Sequence, residues 1–149
     1  MPSARIFVAT VFGGSLEVAE ELMPCLEEEG YDVNIFDEPK LSDLTDEKLP
    51  DIAVFCISTT GSGDFPPNFA DFAHALDATG APIAGLKYGL IALGDSSYPT
   101  YCGAGRRLDE LLTEYGAQRI GERLEIDATE VLQPYQEALD WADEWIKLL

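Results

Sequence analysis

The sequence predicts a doubly wound, three-layer α/β sandwich on a five-stranded parallel sheet of order 2-1-3-4-5. Five strand-like runs alternate with helix-like ones along the 149 residues, the pattern of a parallel sheet covered by helices on both faces. Three of the runs are almost continuously apolar and two alternate, which separates central strands from flanking ones. The loops after the first, third and fourth runs are rich in glycine and hydroxyls, and open sheets of this order bind ligands there.

The strand runs are residues 5–10 (RIFVAT), 32–36 (DVNIF), 52–58 (IAVFCIS), 88–94 (YGLIALG) and 119–126 (RIGERLEI). In the last, Ile120, Leu124 and Ile126 share one face and Arg123 and Glu125 the other, so the second and fifth strands belong at the flanks. Right-handed crossovers then give the order stated. Helices follow from apolar spacing at i, i+3, i+4 and i+7: Ala19, Leu22, Met23 and Leu26; Phe69, Phe72, Ala73 and Leu76; Leu108, Leu111, Leu112 and Tyr115. Gly30 and Gly116 stop the first and third of these. The last segment puts Ala138, Leu139, Ala142 and Trp145 on an inner face. Pro24 falls inside the first helix, where about 3 kcal/mol of clash and lost bonding predicts a kink. Residues 37–50 read as an acidic loop with at most a short helix.

With 46% hydrophobic and 10% aromatic residues, the chain suits one domain, residues 1–149. No stretch approaches the roughly 18 apolar residues of a membrane span, and the start carries no signal-peptide pattern. A cytoplasmic protein is expected. The three cysteines lie far apart without a CxxC pair, so neither disulfide nor zinc is indicated, and Cys56 sits in an apolar run as a core thiol. His74, the only histidine, falls in a helix as a solvated residue, which excludes chemistry needing several histidines.

Charge is the strongest compositional signal: 28 acidic against 9 basic residues give −19. Nucleic acid and anionic membrane are disfavoured as partners. The acidity serves either solubility, including in a salty habitat, or steering onto a basic protein partner.

The first loop, TVFGGS, joins a strand to a helix. Its amides and the helix dipole make a place for a phosphate, with Thr10 and Ser15 as hydroxyl donors and Gly13 and Gly14 allowing close approach. It has neither lysine nor the GK[ST] of a triphosphate loop, and GxGxxG is missing, so one phosphomonoester fits. A structural glycine-serine helix cap is the plainer reading of this loop alone. The second loop, STTGSGDFPPN, holds Gly61 and Gly63 around Ser62, then Asp64; Gly61 can reverse its peptide without a Cβ penalty. The third, GDSSYPTYCG, adds Tyr98 and Tyr101 beside Asp95, and Tyr98 can offer a ring face to a planar ligand.

With these residues laid out, the chain resembles the flavodoxin family. The likeness is to its short-chain MioC-like and YqcA-like members and to the FMN domains of cytochrome P450 reductases. It runs from about residue 4 to the C-terminus and rests on TVFGGS, STTGSGDFPPN, ALGDSSYPTYCGAG and YGAQRIGERLEID in that order. The resemblance implies a flavodoxin-like fold and FMN as cofactor. It implies that Thr10, Val11, Phe12, Gly13, Gly14 and Ser15 hold the phosphate. Thr59, Thr60, Gly61, Gly63 and Asp64, with Gly94, Asp95, Tyr98, Tyr101 and Cys102, would clasp the isoalloxazine, and Asp127 matches an acidic position near the flavin. Two residues depart from the pattern: Phe12 replaces a common hydroxyl donor, and Thr60 stands where the reductase domains carry an aromatic ring.

A flavodoxin needs no catalytic acid or base, because the flavin supplies the chemistry. A carboxylate such as Asp64 or Asp95 at ~8 Å and an effective dielectric near 20 opposes the second electron by about 2 kcal/mol. The implied role is a one-electron carrier between an NADPH-dependent flavoprotein reductase with a basic face and acceptor redox enzymes, working as a monomer. Three rivals are weighed. A phosphoacceptor signalling domain would need acidic residues after strand one, an aspartate ending strand three and a lysine after strand five; those places read TVFGGS, Ser58 and Asp127. A quinone oxidoreductase of the larger related family would need segments the chain lacks. A partner-binding module with poor FMN affinity is raised by Phe12 and Thr60.

Overall fold

A computed structural model describes residues 2–10, 13–45, 49–59, 64–79, 83–95, 97, 99, 101–127 and 133–149. The strands are β1 (Ser3–Ala9), β2 (Asp32–Phe36), β3 (Ile52–Ser58), β4 (Lys87–Gly94), β5 (Gln118–Arg119) and β6 (Leu124–Asp127). The helices are α1 (Gly14–Glu28), α2 (Leu41–Thr45), α3 (Pro67–Thr79), α4 (Gly103–Glu114) and α5 (Pro134–Trp145). All strand pairs are parallel and the order is β2-β1-β3-β4-β5, with β6 also on β4. This is the 2-1-3-4-5 arrangement read from the sequence.

Because successive strand residues point to opposite faces, the apolar central strands feed two cores at once. Phe7, Phe55, Ile57, Tyr88, Leu90 and Ala92 pack against Phe69, Phe72 and Leu76 of α3 and Leu108 and Leu112 of α4. Ile6, Val8, Val54, Cys56, Ile91 and Leu93 meet Val18, Leu22 and Leu26 of α1 and Ala138, Ala142 and Trp145 of α5. Burial pushes the Cys56 thiol up to about 12, which fits its role as a core thiol. His74 is exposed on α3. α1 runs unbroken from Gly14 to Glu28 through the exposed Pro24, and the acidic stretch after β2 carries the five-residue α2.

The fifth strand position departs from the continuous run expected at 119–126. It is filled by two short strands, β5 and β6, separated by Ile120–Arg123. The two C-terminal indoles explain how the interruption is tolerated. Trp145 Nε1 donates to the Ile120 carbonyl at 2.7 Å and Trp141 Nε1 to the Glu122 carbonyl at 3.1 Å. The rings stack at 4.9 Å, so the carbonyls of Ile120 and Glu122 keep side-chain donors where the strand is interrupted.

Candidate functional site

Strand register decides what meets at the carboxyl edge of the sheet. Ala9 lies opposite Ile57, Ser58 opposite Leu93, and Gly94 opposite Asp127. Thr10, Ser58, Thr59, Gly94, Asp95 and Asp127 therefore end neighbouring strands along one edge, each strand about 4.8 Å from the next. Of the residues expected there, Val11, Phe12, Thr60, Gly61, Gly63 and Tyr98 lie outside the described residues.

α1 opens at this edge on Gly13, whose φ of 87° lies in the left-handed region and whose absent Cβ faces open space. Gly13 provides no side-chain cap. First-turn amides have no partner inside a helix, so together with the dipole this end attracts negative charge. The turn before it is held by hydroxyls: Gly13 N donates to Thr10 Oγ1 at 2.8 Å. That bond uses Thr10 Oγ1 as an acceptor, and a hydroxyl can donate as well. Ser15 is fully buried, and its Oγ lies 2.5 Å from Ser58 Oγ. That pairing was not foreseen; it joins the first loop to the end of β3.

Asn68 was also missed. Its Oδ1 accepts from Thr10 N at 2.9 Å, and its Nδ2 donates to the Val8 and Asp37 carbonyls at 2.9 and 2.8 Å. One side chain in the first turn of α3 thus ties the ends of β1 and β2 together. The signal was in view, since Asn68 is the last residue of STTGSGDFPPN and the only one there offering both donor and acceptor from a planar amide.

The third loop closes on the second. Thr59 N donates to the Leu93 carbonyl at 3.1 Å, and Ala104 N donates to Thr59 Oγ1 at 3.1 Å. Thr59 so binds an α4 amide that Cys102, at φ 52°, does not cap. Gly94 admits this approach: a Cβ there would stand 2.7 Å from Cys102 N. Asp95 accepts from Ser97 N at 2.8 Å and also from its hydroxyl. The Cys102 thiol is buried and pushed up to about 11, chiefly by desolvation, so it stays neutral near pH 7. The Tyr101 phenol is likewise raised, first by burial and next by Cys102.

Behind this loop lies a charged cluster that the sequence reading did not assemble. Asp109 of α4 is 5% exposed. It accepts from Tyr88 Oη at 2.5 Å and from Arg123 Nη1 at 2.5 Å, and it also pairs with Arg119. Its signal was an acid inside the apolar face Leu108, Leu111 and Leu112. No helix among the described residues is long and apolar enough to cross a membrane.

The flavodoxin family model matches residues 6–141. Flavodoxin YqcA of Escherichia coli is 40% identical over 149 residues, covering 100% of this chain and 99% of that one. The NADPH sulfite reductase flavoprotein alpha-component of Vibrio cholerae is 35% identical over 148 residues, covering 95% of this chain and 22% of that one. A cysteine-to-alanine mutant of flavodoxin from Pseudomonas aeruginosa superposes with a TM-score of 0.91 at 30% identity, covering 99% of this chain and 98% of that one. The chain belongs to the flavodoxin family, the FMN-binding flavoproteins of electron transfer.

Proposed function

We propose that residues 1–149 form one FMN-binding domain that passes single electrons from an NADPH-dependent flavoprotein reductase to acceptor redox enzymes, as a cytoplasmic monomer. The observation that carries this reading is the meeting of three elements on one edge: the Gly13 helix start, the Ser15–Ser58 and Thr59–Ala104 ties, and the Gly94–Cys102 loop bearing Tyr101. The likeness to a flavoprotein component of an NADPH sulfite reductase supports the choice of electron source.

The residues fit the group. Amides at the α1 start and the Thr10 hydroxyl would hold the phosphate, with Gly14 and Ser15 beside them; Val11 and Phe12 join on sequence grounds. Thr59, Asp64, Gly94, Asp95, Tyr101 and Cys102 would border the isoalloxazine, with Thr60, Gly61, Gly63 and Tyr98 assigned from the sequence, and Asp127 flanks it. Bound FMN supplies reversible one-electron chemistry. The chain's part is to bind, orient and set charge. A phosphate can be held here without a cation because the helix end and hydroxyls supply donors. Asp95 and Asp127 place negative charge beside the ring and oppose added electrons, while the neutral Cys102 thiol adds none.

An absorption spectrum of protein purified without added cofactor tests this. Flavin bands are expected, with FMN released on denaturation. A colourless protein that takes up no added FMN would overturn the reading and leave a partner-binding module.

A further inference from the structure

The three ligand loops, residues 10–15, 58–68 and 94–103, contain no lysine or arginine. A cation reaches their border from α4 instead. The guanidinium carbon of Arg106 lies 5.5 Å from the centroid of the Tyr101 ring. Its Nε donates to Glu125 Oε2 at 2.7 Å and its Nη2 to Glu125 Oε1 at 2.9 Å. Arg123 Nε donates to the same Oε2 at 3.2 Å, and Arg123 is in turn anchored on buried Asp109. Glu125 faces Ala92, two residues before the Gly94–Asp127 pair.

We infer that Arg106 is a positioning residue for the flavin side of the site, holding the Tyr101 ring from a guanidinium that Glu125, Arg123 and Asp109 fix in place. The inference rests on the reading that Tyr101 borders FMN. A planar guanidinium bound edge-on by a carboxylate keeps its face for an aromatic ring. An exposed arginine without that clamp would sample many rotamers and place the ring poorly. Here the chain Arg106, Glu125, Arg123, Asp109 ends in the core at the Tyr88 hydroxyl, so the contact is braced against a rigid element. The same pair sets opposite charges at the border of the site.

Two measurements on Arg106→Ala, Arg106→Lys and Glu125→Gln test this. The first is the NMR ring signals of Tyr101 in FMN-free protein with labelled tyrosine. They should move in all three variants, since lysine keeps the charge but not the fork. The second is the midpoint potential of bound FMN. Arg106→Ala leaves an excess negative charge and should lower the reduction equilibrium constant at least threefold, about 30 mV at 59 mV per tenfold for one electron. Glu125→Gln should shift it in the opposite direction, and Arg106→Lys should stay nearest the parent. A merely structural role would move both in the same direction. Tyr101 signals unmoved in Arg106→Ala, or shifts of one sign in Arg106→Ala and Glu125→Gln, would overturn the inference. Parent protein that takes up no FMN while the Tyr101 signals still respond would sink the FMN reading and leave the positioning role standing.

Discussion

The carboxyl edge of β1 and β3 and the outer edge at β5 and β6 use polar groups in opposite ways. At the first, α1 starts on a glycine without a side-chain cap, and the loops carry hydroxyls and amides but no cation. At the second, three of the five arginines, Arg106, Arg119 and Arg123, are all engaged by Asp109 or Glu125. One edge keeps donors for a guest and the other spends them on the fold. In a chain of charge −19, placing the cations at the second edge leaves the first able to hold a phosphate only through neutral donors.

The largest effect is expected at the edge that spends its charges. Asp109→Ala would take the buried carboxylate from the Tyr88 hydroxyl and two guanidinium groups, leaving them their weaker contacts to Thr113, Gly121 and Glu125. Removing one member of a buried pair costs about 3–5 kcal/mol, and the 36% and 27% exposure of Arg119 and Arg123 reduces this to about 2–3 kcal/mol. Urea unfolding should show the midpoint falling by roughly 1–3 M for a slope of 1–2 kcal/mol per molar. FMN affinity should change far less. A midpoint within 0.2 M of the parent, on the order of experimental error, would place the stability of this edge elsewhere.

The ligand edge should respond in the reverse sense. Ser15→Ala removes a hydroxyl bonded to Ser58 and, on the proposed reading, next to the phosphate. Hydrogen bonds to charged groups contribute about 1.5–3 kcal/mol, so FMN should lose about 10- to 150-fold in affinity and riboflavin much less. Equal losses in parallel titrations would mean that the hydroxyl serves only the Ser58 tie.

How much of this was legible follows from what each edge is made of. Strand order, both helix faces and the three loops could be read because period and glycine content are local properties of the chain. Asn68 and the Ser15–Ser58 tie were not read, since they join residues 58 and 43 positions apart and nothing local announces such a partner. The break in the fifth strand was hidden for a similar reason: an alternating pattern persists across 119–126, while the indoles that accommodate the break lie on α5. Asp109 was visible as an acid among leucines, but its partners are distant in sequence.

Steering distinguishes the edges by charge. If the partner approaches the loops bearing Asp64, Asp95 and Asp127, reduction by a basic-faced reductase should slow several-fold between 0.1 and 1 M salt, as the Debye length shrinks from about 10 to 3 Å. Neutralising a cation of the other edge, as in Lys147→Gln beside Glu144 and next to the Leu148 that packs at Gly121, should leave that slope unchanged. Stopped-flow rates against protein concentration separate the bimolecular slope from transfer within the complex. A slope indifferent to salt would return the acidity to solubility.

The smallest effect comes from the half-exposed end of the charged edge. Arg106, first, holds the Glu125 carboxyl below the ordinary glutamate range, against the opposing effect of burial. A carboxyl lowered by folding stabilises the folded state above its unfolded value, and that share is lost as pH falls through the folded one. Arg106 is 47% exposed and Glu125 23%, so solvent screening limits the pair to about 0.3–1 kcal/mol. Arg106→Ala should therefore be less stable than the parent at pH 7, and the gap should close as pH drops below about 4, the ordinary glutamate range. Urea unfolding of both proteins across pH 7 to 3 measures it. A gap that stays constant over that range would assign the loss to packing of the arginine stem on Tyr101. A gap that closes would show that this edge draws its stability in two unequal parts, most from buried Asp109 and a small, acid-labile share from the pair that braces Tyr101.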